Sequence, residues 1–199
     1  EGELVAVSGD RARKGDVDGA LGYVAGYTGG NDVSARDLQM SDEQWVRSKS
    51  LDTFAPLGPH IVTPDEFDDV ESLDIWTDVN GERLQDANTE QLIFSIAELV
   101  SFCSEAFTLE PGDVIFTGTP DGVGYFRDPR ITLDDGDTMT VAVEGIGELT
   151  NECRHTEWRR ASPAGALRVL RLTLLRAPER RLDDGPDVAV ELIAVTGVQ

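Results

Sequence analysis

The sequence predicts an α+β fold in which β-strands dominate, and three observations carry that expectation. Short runs rich in Val, Ile, Leu, Thr and aromatic residues recur between turn signals along most of the chain, the pattern of paired strands. Asn80-Gly81 separates two such runs and marks a tight hairpin, because both residues tolerate the positive φ that a two-residue turn demands. One stretch, residues 88–107, instead spaces Leu92, Ile93, Ile96, Ala97, Val100 and Phe107 as a helical stripe, and it is read as a helix packed on the core.

Taken in order, residues 1–8 (E-G-E-L-V-A-V-S) read as a strand closed by Gly9-Asp10. Side chains two apart on a strand share a face, so Glu1 and Glu3 present two carboxylates side by side. These repel unless a cation lies between them, yet on an acidic protein such a pair arises readily by chance, and on the residues alone a solvated strand edge is the favoured account. Residues 23–28 form an aromatic, strand-like run that leads into residues 26–39, G-Y-T-G-G-N-D-V-S-A-R-D-L-Q. Gly29 and Gly30 are expected to turn the backbone at the strand end, so that the carboxylate and guanidinium that follow point into a shared space before a polar loop. Lys49 precedes the loop 51–59, rich in Pro and Gly. It is either a contact for an anionic ligand or a surface ion pair.

A strand is predicted at residues 60–63, and residues 73–79 and 82–86 form the two arms of the hairpin. Asn88 is placed as the N-cap of the helix, with Gln91 as its capping-box partner. After a turn at residues 109–113 comes a short buried strand, 114–116, and then T-G-T-P-D-G-V-G at residues 117–124. That loop either offers backbone N–H groups and a hydroxyl to a carboxylate or oxyanion, or is a tight turn and nothing more. It has neither the lysine nor the spacing of a phosphate-binding P-loop. Residues 134–137 turn into strands at 138–143 and 147–153. From Arg154 the composition changes, with eight of the fifteen arginines in residues 154–199. This extension, with residues 166–177 readable as helix or strand and residues 188–195 as a strand, is set apart from a main domain of residues 1–153.

The balance of 17 Lys+Arg against 38 Asp+Glu gives a net charge of -21 over 199 residues. Such a surface repels nucleic acid and anionic membranes. It also strains the fold by self-repulsion, so unfolding free energy is expected to rise on adding salt; a flat response in urea titrations at low and high salt would contradict this. Cys103 and Cys153 have no metal-ligand spacing and are read as structural thiols. No apolar run is long enough to span a bilayer and the first residues do not resemble a signal peptide, so a cytoplasmic protein is expected.

Glu1-x-Glu3, the stretch from Gly26 to Gln39, Lys49-Ser50, Val79-Asn80-Gly81, Pro111-Gly112-Asp113 and residues 117–124 together, in this order, strongly resemble the fumarylacetoacetate hydrolase family over residues 1–153. The nearest likeness is to its acylpyruvase and 2-hydroxyhepta-2,4-diene-1,7-dioate isomerase-like members. The resemblance implies a mixed β-sandwich or β-roll, a homodimer, and a divalent ion held by Glu1, Glu3 and Asp32. A set of carboxylates without Cys or His suits Mg²⁺ or Mn²⁺. It further implies that Arg36, Gln39, Lys49 and Thr119 hold a small 2-oxo or 2,4-dioxo acid. Lys49 and Arg36 would neutralise charge on a metal-stabilised enolate, and Thr119 would orient the carboxylate.

The implied reaction is C–C bond hydrolysis of an acylpyruvate or fumarylpyruvate type, isomerisation, or decarboxylation. Hydration or dehydration of 2-oxo-3-deoxy acids and a non-catalytic metal-binding remnant are the alternatives. In hydrolytic members a His/Glu pair ahead of the E-x-E strand activates water. This sequence begins at the E-x-E, and its two histidines, His60 and His155, match neither that motif nor a ligand position.

Overall fold

The computed structural model describes residues 1–157 and 188–194. Two antiparallel sheets carry the fold. The first has the order β3-β2-β1-β6, built from β1 (Gly2–Ser8), β2 (Val24–Asn31), β3 (Leu57–Val62) and β6 (Val114–Phe116). The second has the order β5-β4-β7-β8-β9, from β4 (Asp74–Val79), β5 (Glu82–Asn88), β7 (Thr138–Val143), β8 (Gly147–Glu157) and β9 (Val188–Ala194). The expected mostly-β α+β sandwich is what the chain forms, and every pairing among the described strands is antiparallel.

β1 is the strand around which the rest packs. All seven of its residues are buried, as expected of a strand covered on both faces. Gly2, Leu4 and Ala6 point to the second sheet, where Leu4 and Ala6 join Tyr27, Ile75 and Val143 in the main core. Gly2 is a glycine for lack of room, since a Cβ there would lie 2.1 Å from Thr77 Oγ1. By the alternation of a strand, Glu3, Val5 and Val7 take the opposite face, and Glu1 lies on that side too.

The hairpin closes at Asn80 (φ 52°) and Gly81 (φ 80°), both left-handed as a type I′ turn requires. Four local expectations are corrected. Gly29 and Gly30 do not turn the chain but lie inside β2. A Cβ on Gly30 would sit 2.6 Å from the Phe116 ring and 2.7 Å from Val5, and one on Gly29 would sit 2.9 Å from the Gly58 carbonyl. Close packing, then, is the reason for both. Gly30→Ala is expected to cost about 1–3 kcal/mol by overpacking, read as a lower urea midpoint at unchanged m; a midpoint equal to wild type would contradict this packing.

The helix starts later than its apolar spacing suggests. Asn88 caps a single 3-10 turn, Thr89–Gln91, and α3 runs Ile96–Ala106 behind a capping box of Ser95 and Glu98. Ser95-x-x-Glu98 is the better box because the Ser95 N–H donates to Glu98 Oε2 at 2.8 Å. Ile93, a member of the expected stripe, is exposed on the segment before the helix, as is Phe94 beside it, and Phe107 at the far end is exposed too. The polar stretch after Ser34 holds two short helices, α1 (Arg36–Ser41) and α2 (Val46–Lys49), where a loop is expected. β6 is a strand, but Val114 is exposed rather than buried.

The predicted strand at residues 188–195 corresponds to β9, which pairs with β8 from Asn151↔Ala194 to Glu157↔Val188. Residues 166–177 lie outside the described residues. No helix among the described residues is long and apolar enough to cross a membrane.

Candidate metal centre

Antiparallel register assembles the site. Gly2 pairs with Asn31 and Glu3 with Gly30, so Glu1 falls opposite Asp32, and the Asp32 N–H donates to the Glu1 carbonyl at 2.8 Å. Cross-strand neighbours on one face are within side-chain reach. Carboxylate oxygens of Glu1, Glu3 and Asp32 accordingly lie within 4.8 Å of one another.

Two cations close on this cluster from α1 and α2. Arg36, the first residue of α1, donates Nη2 to Glu1 Oε1 and Nη1 to Gln39 Oε1, the latter at 2.6 Å. Lys49, the last residue of α2, bridges Glu1 Oε2 at 2.6 Å and Asp32 Oδ2. The helices are held to each other by Ala35 N–H donating to the Ser48 carbonyl (2.9 Å) and by an ion pair of Arg47 with Asp42. Six of the seven residues singled out for the site, all but Thr119, thus belong to one connected group. His60, on the exposed edge of β3, and His155, which contacts Asp134 at 3.1 Å, belong to no metal-binding group among the described residues.

The three carboxyls are electrostatically unequal. Burial raises Glu1, but the Lys49 hydrogen bond, the amino group of residue 1 and the Arg36 guanidinium outweigh it and hold this carboxyl below its ordinary value. Glu3 has no such cation. Burial, reinforced by the charges of Asp32 and Glu1 and opposed by the Gly118 N–H on Oε2 (2.7 Å), pushes it up to about 7. Burial disfavours the Lys49 ammonium, yet its bonds to Asp32 and Glu1 prevail and raise its pKa.

A buried carboxylate beside two others forms a group that could hold a divalent cation. The donor set is oxygen alone, which suits a hard ion such as Mn²⁺ or Mg²⁺.

Glu3 fixes a pH dependence. Its value in the folded metal-free protein lies above the ordinary carboxyl value of 4.5. The neutral form is therefore favoured by folding, and stability is lost as pH rises from about 4.5 through 7, amounting to ~3 kcal/mol. A bound cation needs the ionised form. Mn²⁺ is thus expected to raise the Tm more at pH 8 than at pH 5.5, and Glu3→Gln to remove the difference; equal shifts at both pH values in wild type would contradict the placement of Glu3.

The loop 117–124 is tied down rather than open. Thr117 Oγ1 donates to the Leu4 carbonyl at 2.8 Å, Gly118 N–H holds Glu3, and Thr119 Oγ1 donates to the Gly2 carbonyl at 3.0 Å. Arg127 fastens the loop to β5 through the carbonyls of Gly122 (2.8 Å) and Leu84.

Sequence reasoning missed two neighbours of the site. Gln85 on β5 bonds both β1 and this loop, and a lone Gln on a strand carries no signal of such a role. Tyr125 lies with its ring 5.5 Å from the Arg36 guanidinium and 4.3 Å from that of Arg130; an aromatic residue just past the Gly-Val-Gly turn was its one available sign. Cys103 and Cys153 are free thiols. Cys153 is buried beside Val33 and Met139 and pushed up to about 11.

The family model described as fumarylacetoacetate (FAA) hydrolase C-terminal matches residues 1–154. Oxaloacetate tautomerase FAHD2B, mitochondrial, of Bos taurus is 45% identical over 154 residues, covering 76% of this chain and 49% of its own. The crystal structure of a 5-carboxymethyl-2-hydroxymuconate delta-isomerase from Mycobacterium smegmatis is 47% identical with a TM-score of 0.69, covering 75% of this chain and 56% of the other. A fumarylpyruvate hydrolase from Pseudomonas aeruginosa, solved in complex with Mn²⁺ and pyruvate, is 38% identical with a TM-score of 0.69, covering 75% and 63%. The chain spans about half the length of the curated relatives it matches.

Proposed function

The chain belongs to the fumarylacetoacetate hydrolase family, and from that premise we propose that it is a divalent-metal-dependent enzyme that enolises a small 2-oxo acid. Residues 1–153 are assigned as the catalytic unit. The observation that carries the reading is the convergence of Glu1, Glu3 and Asp32 within 4.8 Å, flanked by Lys49 and Arg36. Reactions named for its relatives, tautomerisation of oxaloacetate and delta-isomerisation, are of this kind. C–C hydrolysis is the second reading, favoured by the likeness to the fumarylpyruvate hydrolase solved with Mn²⁺ and pyruvate.

Charge counting supports a 2-oxo acid as ligand. Three ionised carboxylates against one ammonium and one guanidinium leave one uncompensated negative charge. A divalent ion turns this into one positive charge, which the carboxylate of a 2-oxo acid then offsets. Mg²⁺ or Mn²⁺, held by Glu1, Glu3 and Asp32, would supply Lewis-acid polarisation of the 2-oxo carbonyl.

The chain's own groups do the rest. Lys49, whose Nζ bridges Glu1 and Asp32, serves as a fixed positive charge beside the enolate oxygen rather than as a base. Arg36 binds the substrate carboxylate by its planar guanidinium, whose orientation Gln39 Oε1 and the Tyr125 ring maintain. Gln39 Nε2 and the Thr119 N–H have no partner among the described residues and complete the anion site. A homodimer is the proposed assembly, for which the exposed Ile93, Phe94 and Phe102 supply apolar surface.

The test is enol–keto conversion of oxaloacetate followed by ultraviolet absorbance, with Mn²⁺ or Mg²⁺ and with EDTA, beside cleavage of acylpyruvates. Metal-dependent acceleration is expected and EDTA should abolish it. A protein that binds Mn²⁺ yet changes none of these acids would be a non-catalytic remnant and would contradict the proposal.

A further inference from the structure

We propose that Gln85 is a positioning residue for the metal centre, fixing the two peptide groups that carry Glu1 and Glu3 without touching metal or substrate. This rests on the metal-binding reading of those glutamates. Gln85 is buried on β5, in the second sheet. Its Oε1 accepts from the Gly2 N–H at 2.9 Å, and its Nε2 donates to Thr119 Oγ1 at 2.8 Å and to the Pro120 carbonyl at 2.9 Å. The carboxamide cannot be turned over, because an amide N–H can only donate and the Pro120 carbonyl can only accept.

The hydroxyl of Thr119 is fixed by the same logic. Its oxygen accepts from Gln85, so its single proton goes to the Gly2 carbonyl at 3.0 Å. The ring Gly2 N–H, Gln85, Thr119, Gly2 C=O is closed. Gly2 N belongs to the peptide after Glu1, and Gly2 C=O to the peptide before Glu3.

The fold makes this ring necessary. β6 pairs with β1 only from Val5↔Phe116 to Val7↔Val114, so at Gly2 no strand lies on that side of β1. Gln85 and Thr119 take the bonds that β6 would otherwise make, at the point where the ligands begin. A buried backbone N–H and C=O left unpaired there would be costly or draw in water, and either would loosen the spacing of the carboxylates. The same loop sends the Gly118 N–H to Glu3 Oε2 at 2.7 Å, so Gln85 also holds in place the donor that aims Glu3. One consequence concerns substrate: the Thr119 hydroxyl proton is committed to Gly2, which leaves its main-chain N–H as the donor for an anionic ligand.

Mn²⁺ dissociation constants from the EPR signal of free Mn²⁺ test this on wild type, Gln85→Met, Thr119→Val, Thr119→Ser and the Gln85→Met/Thr119→Val double variant. Breaking the ring at either point is expected to weaken Mn²⁺ about 10-fold. The double variant should be no weaker than either single one, since both break one ring, and Thr119→Ser should stay within about 2-fold of wild type.

Gln85→Met binding Mn²⁺ as wild type does, or the two losses multiplying in the double variant, would overturn the proposal. So would a Thr119→Val protein with unchanged Mn²⁺ affinity and a raised KM for a 2-oxo acid, which would assign the hydroxyl to substrate. If Gln85→Met fails to fold, the contrast of Thr119→Val with Thr119→Ser decides. A wild-type chain that binds no Mn²⁺ overturns the metal reading and this inference with it, whereas wild-type binding with unaffected variants overturns the inference alone.

Discussion

Asp32→Ala is expected to weaken Mn²⁺ binding at least ~100-fold and to lower turnover of a 2-oxo acid by ~10³ or more, with the fold retained. Removing one of three carboxylates leaves a cation with two ligands from the chain, one of which, Glu1, is already shared between Lys49 and Arg36. The backbone is unaffected in principle, because what binds the end of β2 to Glu1 is the Asp32 main-chain N–H, not its side chain. Calorimetric titration with Mn²⁺ and a thermal melt on the same sample separate the two effects. Wild-type Mn²⁺ affinity in a folded Asp32→Ala protein would remove Asp32 from the site.

Lys49→Met is expected to move metal affinity and turnover in opposite directions. The ammonium lies between Glu1 and Asp32, where it competes with a cation for both carboxylates, so its loss should strengthen Mn²⁺ binding roughly 10-fold. Turnover should fall at least ~100-fold, because the positive charge beside the developing oxyanion is lost. The metal-free protein should be destabilised by about 2 kcal/mol, as Glu1 and Asp32 are left facing each other without their shared cation. Titration, steady-state kinetics and unfolding in EDTA read the three effects. Weaker metal binding with unchanged turnover would mean that Lys49 organises the ligands and has no part in the reaction.

Most of the strands are legible one by one because they are written in side-chain alternation and turn chemistry, whereas their order in the two sheets, the Asn80-Gly81 hairpin apart, is not. Asn80-Gly81 sets a register that needs no tertiary information, and the apolar run after Glu3 can be satisfied only in a buried strand. The site is legible in a different way. Glu1 and Glu3 share a face by the period of a strand, but nothing local to either pairs them with Asp32; that follows from the Gly2↔Asn31 register, a contact between distant segments that the resemblance supplies and the spacing does not.

The errors have the same origin. Gly29 and Gly30 look like turn residues by local preference, and what decides them is the Phe116 ring and the Gly58 carbonyl arriving from other strands. Asn88 and Ser95 both begin plausible capping boxes, and the choice depends on Ile93 and Phe94 having no core to enter. Gln85 carries no motif at all. Its importance arises from β6 ending at Phe116, a feature of sheet geometry that has no signature in the residues around position 85.

The most direct test is Mn²⁺ EPR of the protein as it stands, titrated with metal and then with pyruvate as a minimal 2-oxo acid. One Mn²⁺ per chain, absent in Glu3→Gln and with a spectrum changed by pyruvate, is the predicted result. Mn²⁺ bound equally well by Glu3→Gln, or a spectrum indifferent to pyruvate, would show that positions 1, 3 and 32 do not form a centre that grips an α-keto carboxylate.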